Sequence, residues 1–210
     1  MSGFWGHFLT WVQVFAIPLL VLGNAVFVAA EFSLVTVRRT RLEELAANKV
    51  PGTHVAQEAV RRVTDMIAAT QVGITMTSLG LGWVGEPGLA RVLKPWFHFM
   101  PENWGIFAAH GVATAFAFLI ITFLHVVVGE LAPKGIALRK PDTVAIILAG
   151  PLLAFERIFR PFIRVVNWSG NGLLRLLGFK PAAHTGHVHS VDELQLIVED
   201  VSEAGKMSPE

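Results

Sequence analysis

The chain has 210 residues, of which 53% are hydrophobic and only 16% charged, with a formal net charge of +1 and no cysteine. Such a composition is too apolar for an ordinary water-soluble domain and points to a membrane protein. The balanced charge leaves no basic field for nucleic acid, and the missing thiols exclude disulfide frameworks, thiolate zinc sites, iron–sulfur clusters and cysteine nucleophiles. Site chemistry must then come from oxygen and imidazole groups.

A hydrocarbon core about 30 Å thick needs roughly 20 apolar residues in a helix. Three stretches meet that need: residues 8–35, with the uncharged run stopping at Glu31, residues 66–85, and residues 105–130, ending at Glu130. A cleaved signal peptide fits the first stretch poorly, because no charged residue precedes it and its apolar run is too long. The connection after it carries Arg38, Arg39, Arg41, Lys49, Arg61 and Arg62, and breaks at Pro51 and Gly52. The second connection holds only Arg91 and Lys94 against Glu86 and Glu102, while Lys134, Arg139 and Lys140 follow the third span. Enrichment of cytoplasmic flanks in lysine and arginine predicts an N-out, C-in topology.

From residue 143 a shorter apolar run leads into Glu156, Arg157, Arg160 and Arg164 interleaved with Ile158, Phe159 and Phe162. That pattern predicts amphipathic juxtamembrane helices on the cytoplasmic membrane surface over about 143–178. A first reaches the arginines and a second ends at Gly178 with Pro181 beyond. The predicted fold class is an all-α integral membrane protein of three transmembrane helices plus these juxtamembrane helices, a transmembrane domain over residues 1–180. Residues 181–210 turn polar: His184, His187 and His189 precede a soluble amphipathic stretch bearing Asp192, Glu193, Glu199 and Asp200. They are expected to be a linker toward a further cytoplasmic domain.

Ionisable groups at membrane depth are costly and therefore functional candidates. Glu31 and Glu130 lie at the predicted cytoplasmic ends of their spans. Glu31 has the alternative of pairing with Arg38 or Arg39, and Glu130 that of an i,i+4 ion pair with Lys134. In Gly129-Glu130-Leu131-Ala132-Pro133-Lys134, the proline supplies no amide hydrogen and its ring crowds the carbonyl of Gly129, which is left free. A broken helix offering a free carbonyl beside a carboxylate is one way that transport proteins build cation sites.

Asn24, expensive in hydrocarbon unless partnered, lies seven residues before Glu31 and on the same face. Ser33 points nearly opposite Asn24 on an uninterrupted helix. The second span is rich in Thr70, Gln71, Thr75, Thr77, Ser78 and glycines, which read mainly as packing and interhelical bonding; Ser78 is deep enough to meet Asn24. The candidate metal ligands are Asn24, Ser78, Gly129, Glu130, Glu31 and Ser33, with Pro133 and Lys134 shaping the break. An oxygen-only set suits a hard cation such as Mg²⁺ or Ca²⁺.

Three ordered motifs carry a family resemblance: Leu22-Gly23-Asn24 through Glu31-Phe32-Ser33 into Arg38-Arg39, Ser78-Leu79-Gly80-Leu81-Gly82-Trp83-Val84-Gly85-Glu86-Pro87, and His125 through Gly129-Glu130-Leu131-Ala132-Pro133-Lys134. Together they resemble the membrane domain of the CorC/CNNM magnesium transporters, and the tail from His189 resembles the segment leading into that family's CBS-domain pair. The resemblance implies a homodimer in the cell's inner (plasma) membrane that exports Mg²⁺ in exchange for Na⁺, regulated by nucleotide through the CBS region. It also implies an intramembrane cation site at Asn24, Ser78, Gly129 and Glu130. Many members carry serine where Val28 and Ala30 stand here and asparagine where Ser78 stands.

Other classes compete. A sensor or scaffold acting through cytoplasmic domains is the main alternative. A bis-histidine haem protein would use His110 and His125, but no histidine lies on the other spans. A hydrolase is disfavoured because neither Gly-x-Ser-x-Gly nor His-Glu-x-x-His occurs. The protein is therefore not expected to be an enzyme.

Overall fold

In a computed structural model of the chain, residues 2–97 and 105–178 are described, and every element among them is helical. The first span is one uninterrupted helix, α1 (Ser2–Thr36), through Pro18. Two short helices, α2 (Arg39–Ala47) and α3 (Thr53–Arg61), form the first connection. Next comes α4 (Val63–Gly80), continued by a π-helical segment Leu81–Gly85, by α5 (Glu86–Leu93) and by a 3₁₀ turn Lys94–Phe97. The third span is α6 (Gly105–Leu124), a π-helical segment His125–Leu131 and α7 (Ala132–Arg139). A long helix, α8 (Pro141–Leu176), ends the described part.

Three stretches are long and apolar enough to cross a membrane, Thr10–Thr36, Val63–Trp96 and Gly111–Arg139. Their number agrees with the sequence reading, but the second and third run well past the predicted ends at 85 and 130. Both extensions pass through a π segment that stops just short of a proline, Pro87 or Pro133. The wider π turn absorbs the proline's missing donor and ring volume without ending the helix. Instead of the predicted break, the third span is widened: the Ala132 amide bonds to the Val127 carbonyl, five residues back.

Contacts fix the directions of the three spans. Along α1, Gln13 accepts a hydrogen bond from Arg91 at 2.8 Å, Ile17 approaches Gly85, Asn24 meets Thr77, and Phe27 lies against Gly73. Rising numbers on one helix meet falling numbers on the other, so α4–α5 runs antiparallel to α1. From Gln13 to Phe27 this register rises about 21 Å at about 1.5 Å per residue, most of a hydrocarbon core. Asn24 meets Gly129, and Phe32 meets Lys134 further along, so α6–α7 runs parallel to α1. At Gly73 the approach is so close that a Cβ would stand 2.5 Å from the Phe27 ring, which explains a glycine there.

Two apolar cores result. Ile17, Val21, Leu81 and Ile121 make one. The larger gathers Leu34, Leu42, Val60, Met66, Ala145 and Leu152 from α1, α2, α3, α4 and α8. Between them along α1 and α4 lie Asn24, Thr77 and Ser78.

The last helix departs from expectation in two ways. It is one 36-residue helix with Pro151 and Pro161 inside, not two helices. Glu156, assigned to the polar face of a surface helix, is only 4% exposed. Its Oε1 accepts a hydrogen bond from Arg160 Nε and forms an ion pair with Arg62 Nη2, each at 3.0 Å. The carboxylate turns inward because Ala145, Ala149, Leu152, Glu156 and Ile163 share the face that packs on the bundle. The chain divides at Asn167 into two units, of which the second begins at Trp168. Residues 179–210, including His184, His187, His189 and the predicted linker, lie outside the described residues.

Removing a buried partner leaves like charges uncompensated. Glu156→Ala should therefore destabilise the protein by about 3–5 kcal/mol, seen as a lower melting temperature in detergent. Glu156→Gln, which keeps the volume and an acceptor, should lose less.

Candidate functional site

Asn24 lies near the middle of the first span and is 2% exposed. A primary amide there needs partners, and every polar atom of it finds one. Its Nδ2 donates to the Gly129 carbonyl at 3.0 Å. Its Oδ1 faces the hydroxyls of Thr77 at 3.0 Å and Ser78 at 3.5 Å. Ser78 Oγ is also 3.2 Å from His125 Nε2. One residue from α1, two from α4 and two from the π segment thus form a continuous polar cluster. Among the described residues no buried side-chain nitrogen or oxygen lacks a hydrogen-bond partner.

The local sequence explains this meeting. Pro133 cannot donate to the Gly129 carbonyl, and a carbonyl without a partner in hydrocarbon costs several kcal/mol. Asn24 supplies the donor. Gly129 permits the approach, since a Cβ on it would lie 3.1 Å from the His125 ring and 3.3 Å from Asn24 Nδ2.

The hydroxyls have choices. Thr77 Oγ1 lies 3.0 Å from Asn24 Oδ1, 2.9 Å from the Gly73 carbonyl and 3.0 Å from the Ile74 carbonyl. It has one proton, so these three bonds are alternatives. Ser78 can likewise give its proton to Asn24 or to His125. When both hydroxyls turn their protons away, the Asn24 carbonyl and two hydroxyl oxygens present lone pairs to one another, an arrangement that a hydrogen-bond donor or a cation would stabilise. Turning the Asn24 amide would add the Gly129 carbonyl.

The sequence candidates divide accordingly. Asn24, Ser78 and Gly129 are brought together. Glu130, beside Gly129 in the chain, is exposed and makes none of the cluster's hydrogen bonds. Glu31 is half-buried two helical turns beyond Asn24, facing Thr70 and Lys134. Ser33 is fully buried but bonds back to the Ala30 carbonyl at 2.9 Å, as the unbroken helix requires. Pro133 is buried; Lys134 stacks its ammonium over the Phe32 ring at 4.3 Å. Among the described residues no ion pair joins Lys134 to Glu130 or Glu31 to Arg38 or Arg39.

Thr77 and His125 were missed as site members. Thr77 was absorbed into the packing hydroxyls, although it neighbours Ser78. His125 stands one turn before Gly129, a spacing that places both on one face. It bonds to Ser78, and the side chain of His110 lies outside the described residues. The described residues contain no cluster of three or more histidine and acidic side chains able to hold a metal, so the site is built from dipoles.

A three-span helical bundle with a polar cluster at mid-membrane defines an integral membrane domain. Comparison with known proteins makes the class specific: the profile of the cyclin M transmembrane N-terminal domain matches residues 15–210. The chain belongs to that family. It is 38% identical over 195 residues to the UPF0053 protein YhdT of Bacillus subtilis, covering 92% of this chain and 41% of the relative. The UPF0053 protein YugS of the same organism is 39% identical over 199 residues, 94% of this chain and 46% of the relative. The protein Rv1841c of Mycobacterium tuberculosis is 37% identical over 186 residues, 88% of this chain and 52% of the relative. The chain thus spans about half the length of the curated relatives it matches.

The pairing of Asn24 with a carbonyl freed by Pro133 is open to a double-mutant cycle. Asn24→Ala alone should cost about 1–3 kcal/mol by stranding the Gly129 carbonyl. In a Pro133→Ala background, where residue 133 regains an amide hydrogen, the same change should cost measurably less. Melting temperatures of the four proteins in detergent give the coupling.

Proposed function

We propose that this domain carries Mg²⁺ across the membrane through the cluster centred on Asn24. The observation that carries this reading is the meeting of an amide oxygen, two hydroxyls and a proline-freed carbonyl near the middle of three spans, all hard oxygen donors. Oxygen donors suit Mg²⁺, which keeps several of its waters in most protein sites. A dication at this depth also needs negative charge nearby. Glu130, adjacent to Gly129, supplies it by swinging inward, and Glu31 stands on the same face of α1. Ser33, bonded to Ala30, takes a structural part.

Family membership supports cation transport as the activity. Export with Na⁺ moving the other way is the direction and coupling proposed. The protein works as a homodimer in the plasma membrane, N-terminus outside and C-terminus in the cytoplasm. The second span is the proposed contact, because Gln71 is an exposed polar side chain on it. Nucleotide control belongs to a CBS-domain pair following this domain. The competing reading, a sensor or scaffold, has no observation of its own in the bundle.

Calorimetric titration of the purified protein with Mg²⁺, with Ca²⁺ and Na⁺ as competitors, tests the site. Saturable binding by the wild type should vanish in Glu130→Gln and weaken at least about tenfold in Asn24→Ala, a loss of about 1.4 kcal/mol or more. Flux of Mg²⁺ from vesicles should fall in the same order. Unchanged binding in Asn24→Ala would remove the cluster as the site, and binding without flux would favour a sensor.

A further inference from the structure

Apart from the bundle interior, an open groove of about 430 Å³ runs between α3 and α8. Its size falls in the range of ligand sites, roughly 300–1,000 Å³. The α8 wall is Gly150, Leu153, Ala154 and Arg157, a stripe at i, i+3, i+4 and i+7 beside the buried stripe of Ala149, Leu152 and Glu156. Val55 of α3 faces it, with His54 and Glu58 at the rim. The lining is mainly hydrocarbon. At Gly150 an added Cβ would meet nothing within 4 Å, so the trough is open there.

The charges around it are unevenly satisfied. The Glu58 carboxylate is held by Arg61 at 2.8 Å, and the Glu156 carboxylate by Arg62 and Arg160. Arg157 joins no ion pair among the described residues and is exposed. An unpaired guanidinium thus stands at the mouth of an apolar trough whose neighbouring acids are already neutralised. The outward face of α8 continues the apolar surface through the exposed Ile158, Phe162 and Val165.

We propose that this groove binds one anionic phospholipid, with its phosphate on Arg157 and an acyl chain along Val55, Leu153 and Ala154. The planar fork of arginine matches phosphate oxygens in a bidentate way. Basic pockets beside membrane helices commonly take anionic headgroups. His54 gives the headgroup a second donor across the trough. A zwitterionic headgroup fits less well, since its own cation would face Arg157. The site stands independently of cation transport, and it would anchor α8 and α3 together at the lipid surface.

Native mass spectrometry of the full chain in detergent, titrated with dioleoyl phosphatidylglycerol, dioleoyl phosphatidylcholine or inorganic phosphate, tests this. The wild type should retain the anionic lipid about tenfold more strongly than the zwitterionic one, and inorganic phosphate should not bind measurably. Arg157→Gln should reduce the anionic lipid to the zwitterionic level, with Arg157→Lys between. Gly150→Leu, which grows into open space and should keep the melting temperature, should weaken both lipids by blocking the chain. Equal retention of the two lipids by the wild type would overturn the proposal, as would anionic lipid held undiminished by Arg157→Gln or by Gly150→Leu. Phosphate bound as tightly as the lipid would show an anion site with no part for the groove, and would overturn it equally.

Discussion

A single hydrogen bond, from the Asn24 side chain to the Gly129 carbonyl, organises the centre of this bundle. Proline in a membrane helix creates a debt of one donor that water cannot settle in hydrocarbon. Here the donor comes from another span. Pro133 thereby dictates that α1 and the third span run close together at Gly129, that position 129 lacks a side chain, and that an amide sits at position 24. The remaining half of that amide then requires hydroxyls from the second span, and Thr77 and Ser78 provide them. All three spans are linked through one side chain that lies between two apolar cores.

The antiparallel register of α1 and α4 shows how small residues work in this setting. Without a hydrophobic difference between lipid and protein, helices associate through close packing and hydrogen bonds. Gly73 lets the Phe27 ring lie on the α4 backbone, and the same ring packs edge-on against Phe155 of α8 with centroids 4.8 Å apart. Packing of the spans is thus passed to the helices that cover the bundle's end. There the contact is reinforced by a buried carboxylate shared between Arg62 and Arg160.

Much of this was legible in the sequence, for identifiable reasons. The three spans follow from length and hydropathy, which survive errors of a turn at either end. The freed Gly129 carbonyl follows from Pro133, and the need of Asn24 for a partner follows from its burial in hydrocarbon. The extra length of the second and third spans did not follow, because charge marks where a run ends and says nothing of a helix continuing past it. Thr77 and Ser78 both reach Asn24 although they are adjacent, which a helical wheel alone does not predict. Glu156 was read outward because arginines surround it in sequence. One of them, Arg160, is its partner, and the other partner, Arg62, stands far off in sequence at the start of α4. The two juxtamembrane helices expected over 143–178 are one, which runs through Pro151 and Pro161 and is held to the bundle by Ala145, Ala149, Leu152, Glu156 and Ile163.

The dipolar character of the central cluster sets the kinetics of anything that visits it. Asn24, Thr77, Ser78 and the Gly129 carbonyl carry no formal charge, and Glu130 stands outside their hydrogen-bonded network. Affinity for hard cations rises with the number of charged ligands, so this lining alone makes a shallow well, which the inward swing of Glu130 proposed above would deepen. The protonic rearrangement of two hydroxyls and the turn of one amide are side-chain motions, fast on the scale of helix movements. Under the transport proposed above, occupancy would equilibrate well before the helices move, and the slow step would belong to the backbone.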